Sequence, residues 1–301
     1  MYKKRREPLE LALLKSLNSR MELSDELKTK YLNQGKGWEG ERKFDKYLKD
    51  LAPNSIILND LLLQSHQTTF QIDSLLIEGD ALHLYEIKNY EGDFYYENDR
   101  FYKKKNKVEI SNPITQLKRT DSLLRQLVHQ LGYSITIIPH VVFINPEFIL
   151  YQVPLHLPCI YPNQLNRYVK LLEKNKSQVK KQHAVFAEKL IALHMDESPY
   201  RRIPSYTYEE LKKGILCDKC NSLFISTESA MIKCDVCGYT ESLELAVLRS
   251  VKEFKLLFPE RKITTKEIHD WCLISGGMRR IKRILDKHYR LIGVHQWAYY
   301  E

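Results

Sequence analysis

Phe70-Gln-Ile-Asp-Ser-Leu-Leu-Ile77, then Glu78-Gly-Asp80, then Ala81-Leu-His-Leu-Tyr-Glu-Ile-Lys88: two apolar runs joined by a tight-turn signal decide how this chain folds. Gly at the first central position of a two-residue loop suits a type II′ hairpin turn. With Gly79 and Asp80 as the turn, Glu78 pairs with Ala81, Ile77 with Leu82 and Leu75 with Leu84. The same register sets Asp73 opposite Glu86 and Gln71 opposite Lys88. Directly opposed side chains sit roughly 5 Å apart. At an effective dielectric of about 20, two carboxylates at that separation repel by roughly 3 kcal/mol. The rest of their face is Ile and Leu, so the pair is expected to be half buried. A divalent cation turns the repulsion into ligation, and the stretch therefore predicts a metal site at the end of a hairpin with a lysine beside it.

A chain of 301 residues is long enough for two or three domains with real cores. Hydrophobic content of 43% with 28% charged residues is ordinary for a globular protein and argues against a disordered chain. The net charge of +9 favours a polyanionic partner such as nucleic acid, although solubility alone accounts for many basic proteins. Met1-Tyr-Lys-Lys-Arg-Arg-Glu-Pro8 has the charged front of a leader peptide, but Glu10 and Lys15 interrupt the leucines behind it and no apolar region forms. The longest apolar run, Ile135 to Ile144, holds Pro139 and His140 and is too short to span a membrane. A cytoplasmic location is expected. Four of the six cysteines fall in Cys-x-x-Cys pairs, which in a reducing compartment points to metal rather than disulfides. Cys159 and Cys272 stand alone and read as packing residues.

Five segments are expected. Residues 1–35 form a helical lead-in that starts after Pro8, with Leu9, Leu13 and Leu17 at helical spacing, and ends near Gly35. Helix, hairpin, further strands and helix alternate over 36–150, the pattern of an α/β unit. Ile135 to Ile144 reads as a buried central strand, bent or begun anew at Pro139. Residues 151–161, with Pro154 and Pro158, read as irregular. The stretch from Asn163 to Met195 is helical and basic, and Ser198-Pro199 marks a break, so 151–210 is a helical linker region. Segments 211–240 and 241–301 carry the cysteine pairs and a helical tail.

Metal-dependent phosphodiester cleavage needs a carboxylate cluster, a Lewis-acidic cation and a positive group beside the attacking water. Glu86 and Lys88 are two apart on a strand and share a face, with Asp73 across the hairpin. Alone, that pattern also fits a solvated hairpin. Glu41, in Gly37-Trp-Glu-Gly40-Glu41, opens a helix whose apolar Phe44, Leu48 and Leu51 share its stripe, where a carboxylate needs a partner; the plainer alternative is an acid favoured by the helix dipole. Asn112-Pro113-Ile-Thr-Gln116 reads as an N-cap and first-turn proline, with Gln116 either turned to the site or simply exposed. Asn89-Tyr-Glu-Gly92 ends the strand just after Lys88.

Together Gly37-x-x-Gly40-Glu41, Gln71-Ile-Asp73, Glu86-Ile-Lys88-Asn89-Tyr90-x-Gly92 and Asn112-Pro113-x-x-Gln116 resemble the nuclease-related domain (NERD) family. That family is similar to a branch of the PD-(D/E)xK, restriction-endonuclease-like superfamily. Ser74 and Ile87 depart from its usual His and Thr without removing a candidate ligand. The resemblance implies a core with a central mixed sheet flanked by helices. It implies Mg²⁺ or Mn²⁺ held by Asp73, Glu86 and the carbonyl of Ile87, a set of oxygen ligands that suits those ions. Lys88 would position the attacking water, Glu41 would complete or orient the metal shell, and Gln116 would support the site. Lys103, Lys104, Lys105 and Lys107, preceded by Tyr95, Tyr96, Phe101 and Tyr102, form a basic tip that could hold a phosphate backbone; a solvated hairpin end is the plainer reading.

Cys217-Asp-Lys-Cys220, thirteen residues, then Cys234-Asp-Val-Cys237-Gly238 supplies four thiolates at the spacing of a zinc ribbon. Leu223-Phe-Ile-Ser226 and Ala230-Met-Ile-Lys233 suit its hairpin. Four thiolates leave no open position, so this Zn²⁺ is expected to be structural. Beyond it, Ile263 to Cys272 reads as a capped helix and Ser275-Gly-Gly277 as a turn. Met278 to His288 reads as a basic helix with Arg279, Arg280, Lys282 and Arg283 near its start. The order resembles a helix-turn-helix or winged helix; a helical cap on the ribbon is the alternative.

The expected function is a Mg²⁺-dependent nuclease, a hydrolase of phosphodiester bonds with DNA as the expected substrate, whose ribbon and basic helices grip nucleic acid. The alternatives are a non-catalytic nucleic-acid-binding protein on a nuclease-like scaffold and a protein-interaction platform.

Overall fold

The computed structural model describes residues 2–51, 55–174, 179–195, 203–223, 225–228, 230–274 and 277–301. Helices α1 (Leu9–Arg20) and α2 (Asp25–Leu48) precede strands β1 (Ile56–Ser65), β2 (Thr68–Glu78), β3 (Ala81–Lys88), β4 (Gly92–Glu97), β5 (Arg100–Lys103) and β6 (Glu109–Ile110). Helix α3 (Pro113–Gln130), strands β7 (Thr136–Phe143), β8 (Phe148–Tyr151) and β9 (Cys159–Ile160), and helices α4 (Leu165–Lys174) and α5 (Lys181–Ala192) follow. The last part holds β10 (Ile225–Glu228), β11 (Met231–Cys234), β12 (Thr240–Ser242), α6 (Leu243–Leu257), α7 (Thr265–Cys272), α8 (Met278–His288), β13 (Leu291–Ile292) and β14 (Tyr299–Tyr300).

The chain divides into two compact units, one of Met1–Glu7 with Leu32–Arg201, the other of Pro8–Tyr31 with Arg202–Glu301. The division falls inside α2, which runs unbroken through Gly35, Gly37 and Gly40. This corrects the expectation of a lead-in ending near Gly35 with Glu41 at a helix start. An interior glycine costs only about 1 kcal/mol against alanine, and the buried stripe of Gly40, Phe44 and Leu48 carries the helix past it.

The first unit is α/β, built on a central mixed sheet in the order β1-β2-β3-β7-β9 with helices around it, an architecture consistent with a nuclease-like core. The β2–β3 hairpin has the expected register: Glu78↔Ala81, Ile77↔Leu82 and Leu75↔Leu84. Gly79 takes the positive φ of +54° that the first central position of the turn requires. The expected ladder does not continue to Asp73↔Glu86 or Gln71↔Lys88; its last pair is Ser74↔Tyr85. Strand β7 lies parallel to β3 and passes straight through Pro139. The N–H of Val141, two residues on, faces the β9 side, where pairing starts only at Val141, so the donor that Pro139 lacks falls where no strand needs it.

A second sheet, β6-β5-β4-β8, holds the aromatic hairpin. Residues 151–161, expected to be irregular, contribute Cys159–Ile160 as an edge strand. The helices read as a linker belong to the first unit: Phe186, Ala187 and Leu190 of α5 and Leu165, Val169 and Leu172 of α4 are buried in its cores. The break expected at Ser198-Pro199 lies outside the described residues.

In the second unit, α1 joins β11 and α6–α8 in one core that includes Leu13, Leu17, Ile215, Ile232, Val247, Phe254, Trp271 and Ile281. Arg20 is fully buried there, ion-paired to Glu253 at 2.6 Å and 3.9 Å from the Trp271 ring centre. Helices α6, α7 and α8 are followed by the β13–β14 hairpin, and Ile263 is bridged to Tyr300. No helix among the described residues is long and apolar enough to cross a membrane.

Candidate active site

Asp73 sits where the pairing on both flanks of β2 is interrupted. Toward β1 the ladder skips from Asn59↔Ser74 to Leu61↔Ile72, and Asp60 between them adopts φ +54°. Toward β3 the pairing stops one residue short, and Asp73 Oδ2 accepts the Ile87 N–H at 2.7 Å. A strand residue points its N–H and C=O to the same neighbour, so the Ile87 carbonyl faces this same edge. Lys88 Nζ lies 2.7 Å from Glu86 Oε1, and both side chains are largely covered.

Glu41 reaches the group from α2. Burial, opposed by Arg5 and reinforced by Asp60, Asp45 and Glu86, raises its carboxyl to about 7. Burial first, then Glu86 and Glu41, hold the Asp73 carboxyl well above the ordinary range. Mutual electrostatic effects thus tie Glu41, Asp73 and Glu86 together. For Lys88, burial pulls the ammonium down, but Glu86, Tyr90 and Asp73 outweigh it and the net direction is up.

Gln116 is exposed in the first turn of α3, capped as expected by Asn112, and no side-chain hydrogen bond ties it to the carboxylates among the described residues. Gln71 is also exposed and donates to Asp60 Oδ1 at 2.8 Å. Ser74, the departure beside Asp73, is buried and satisfied by Asn59 at 2.8 Å. Gly92 ends the Asn89-Tyr90-x-Gly92 turn with φ +94°, a conformation that favours glycine.

Sequence reasoning missed Arg5 and Asp45. The Arg5 side chain, 2% exposed, puts Nη1 2.7 Å from Glu41 Oε2, and Nε and Nη2 3.1 and 3.2 Å from the two Asp45 oxygens. Its Nη2 also donates to the Asp73 carbonyl at 2.7 Å. The four-residue spacing of Glu41 and Asp45 on one helix face was a usable signal. Nothing in Lys3-Lys4-Arg5-Arg6 singles out the one arginine that turns inward.

Lys103, Lys104, Lys105 and Lys107 are exposed around the turn after β5, with Tyr95 and Tyr102 stacked at 5.0 Å on the hairpin. In the second unit, Arg279, Lys282 and Arg283 are exposed on α8, Arg280 is half-buried, and Ile281, Ile284 and Leu285 face the core.

The sulfurs of Cys217, Cys220, Cys234 and Cys237 lie within 4.8 Å of one another. Cys217–Cys237 and Cys220–Cys234 are 3.6 and 3.5 Å apart, close to the spacing that tetrahedral Zn–S bonds of ~2.3 Å require. Each knuckle closes with a left-handed residue, Asn221 at φ +57° and Gly238 at +70°. Asn221 does the work of the glycine that the first knuckle lacks. Among the described residues, these cysteines are the group of three or more ligands gathered tightly enough to hold an ion. Strands β10 and β11 form the expected hairpin, with Phe224 outside the described residues.

The first unit is an α/β fold whose central mixed sheet, flanked by helices, is consistent with a nuclease-like core. In a comparison with models of protein families, residues 36–144 match the family described as nuclease-related domain. Neither curated proteins nor solved structures gave a match.

Proposed function

We propose that this protein is a Mg²⁺- or Mn²⁺-dependent nuclease that hydrolyses phosphodiester bonds in DNA. The observation that carries the reading is the half-buried group in which Asp73 accepts the Ile87 N–H at 2.7 Å beside the Lys88–Glu86 pair, 2.7 Å apart, within the stretch that matches the nuclease-related domain. Such a site is short of positive charge, and its donors are all oxygens, which suits a hard divalent cation. Asp73, Glu86 and the Ile87 carbonyl would hold that ion. Bound there, it supplies Lewis-acid stabilisation of charge on the phosphate.

The residues of the chain do the rest. Lys88 positions the attacking water and faces the negative charge that develops on the phosphate oxygens, a role for a fixed cation. Glu41 orients the shell from α2, and Gln116, in the first turn of α3, supports the site from there. Lys103, Lys104, Lys105 and Lys107, together with Arg279, Arg280, Lys282 and Arg283, bind the phosphate backbone. Zn²⁺ on the four cysteines is structural, and the ribbon supports that grip. The test is cleavage of labelled DNA and RNA with Mg²⁺ or Mn²⁺ by the wild type and Asp73→Asn: cutting of DNA that the substitution removes supports the reading, and a wild type that cuts neither overturns it.

A second reading, a non-catalytic nucleic-acid-binding protein, is favoured by exposed Arg279, Lys282 and Arg283 on α8 of the second unit. It predicts DNA binding that Asp73→Asn leaves intact and no cleavage by either protein.

A further inference from the structure

We propose that Arg5 stands where a second divalent cation would otherwise bind, so that the site takes one ion and not two. Glu41 and Asp45 are four apart on α2, adjacent on one face, where two like charges repel. A cation between them relieves that repulsion, and many phosphodiester-cleaving sites hold two metal ions ~3.5–4 Å apart among such carboxylates. Here the cation is a guanidinium. It grips both Asp45 oxygens, Glu41 Oε2 and the Asp73 carbonyl, engaging four of its five N–H donors.

The segment carrying Arg5 is itself fastened. Tyr2 and Lys3 donate backbone N–H groups to Ile57, Asn59 donates to Lys3, and the Tyr2 hydroxyl reaches Glu188 at 2.7 Å. The guanidinium is thus delivered by a short extended stretch laid along the edge of β1, parallel to it. It anchors the strand backbone at Asp73 as well as the helix, which a free ion would do less rigidly.

Charge counting agrees. Glu41, Asp45, Asp73 and Glu86 carry four negative charges when ionised, and Arg5 and Lys88 return two, leaving the deficit that one divalent ion fills. Adding Asp60, whose charge Glu41 also feels, and Lys3, whose ammonium binds the Asp60 carbonyl at 2.8 Å, leaves the balance unchanged. A second ion would leave the cluster positive.

The inference rests on the nuclease reading for the place of the first ion. Full-length protein with its cysteine site saturated with zinc is titrated with Mn²⁺, and bound Mn²⁺ is counted by electron paramagnetic resonance. Wild type is expected to bind one tight Mn²⁺, Arg5→Ala two, and Arg5→Lys one. Adding Asp45→Asn to Arg5→Ala should remove the second ion. Two tight ions in wild type, or one in a folded Arg5→Ala protein, overturn the inference while leaving the nuclease reading standing; no tight ion in wild type removes both. Should Arg5→Ala fail to fold, Arg5→Gln, which keeps hydrogen-bond donors but loses the charge, is counted in its place: two tight ions support the inference and one overturns it.

Discussion

Asp73 Oδ2 accepts the backbone N–H of Ile87 at 2.7 Å, so a side chain closes the β2–β3 ladder where a strand carbonyl would otherwise stand. On the other flank Arg5 takes the Asp73 carbonyl. The ladder stops at this point, so Asp73 and Glu86 are not a directly paired couple, yet Glu86 still helps burial raise the Asp73 carboxyl.

Replacing Asp73 should therefore separate hydrogen bonding from charge. Asp73→Asn keeps an acceptor for Ile87, whereas Asp73→Ala leaves a covered N–H unpaired at a cost of about 1–3 kcal/mol. A carboxyl whose folded pKa is raised above 3.8 lowers stability progressively as pH rises from 3.8 to the folded value, and the full cost is present above it. Without added Mg²⁺, Asp73→Asn should match or exceed wild-type stability at pH 8, and Asp73→Ala should fall below Asp73→Asn. Urea unfolding of the three proteins checks the order.

Two glycines of α2 should respond in opposite directions. A Cβ on Gly37 would meet nothing within 4 Å, so Gly37→Ala should stabilise by about 1 kcal/mol through helix propensity. A Cβ on Gly40 would lie 2.6 Å from Asn89 Cβ and 3.1 Å from Ile144 Cγ2. Gly40→Ala should destabilise by about 1–3 kcal/mol by overpacking and disturb Glu41 next to it. Thermal melts of both variants decide.

The hairpin register, the α3 cap and the four-cysteine ribbon were legible because each is local: a turn dipeptide, Asn112-Pro113, and paired Cys-x-x-Cys. What was not legible depends on approach between distant segments. Gly35 looked like a helix boundary, and the requirement that Gly40 meets, the space beside Asn89, arises only in three dimensions. Arg5 was hidden in a basic run that resembles a leader's charged front. The assignment of α4 and α5 to the first unit was missed because their amphipathic pattern fixes that they pack, not against what.

Acid should weaken the first unit through His83 and His140, which stack at 5.8 Å. Burial lowers both to about 4. A histidine with a depressed folded pKa loses stability as pH falls from 6.5 toward 4, by up to about 3 kcal/mol each. His140→Phe keeps the ring in place and should flatten this loss, measured by urea midpoints at pH 7 and pH 4.5.

Zinc removal should act on the second unit first. Ile232 of β11 shares a core with Leu243 and Val247 of α6, so losing the thiolate cluster loosens more than the ribbon. Cys217→Ser protein should contain less than one zinc per chain by elemental analysis. Its calorimetric transition for the second unit should fall, while that of the first, which has its own core, stays in place. A single transition shifted as a whole would count against independent cores.

Lys88 and Asp73 should prove essential in different ways. Lys88 Nζ is 2.7 Å from Glu86 and lies among carboxylates that burial already penalises. Lys88→Met removes a cation from an anionic group, so stability without Mg²⁺ should drop while Mn²⁺ still binds, and more tightly as the local charge turns more negative. Asp73→Asn removes a ligand, so Mn²⁺ affinity should fall while stability without metal holds. Both should lose cleavage, because losing one charge-stabilising group at such a site typically costs roughly 3 kcal/mol of transition-state stabilisation, a rate factor on the order of a hundred. Calorimetric Mn²⁺ titration beside single-turnover cleavage separates the two. Cleavage that survives Lys88→Met at the wild-type rate would deny the lysine any role in the reaction, and unchanged Mn²⁺ affinity in Asp73→Asn would move the ion away from Asp73.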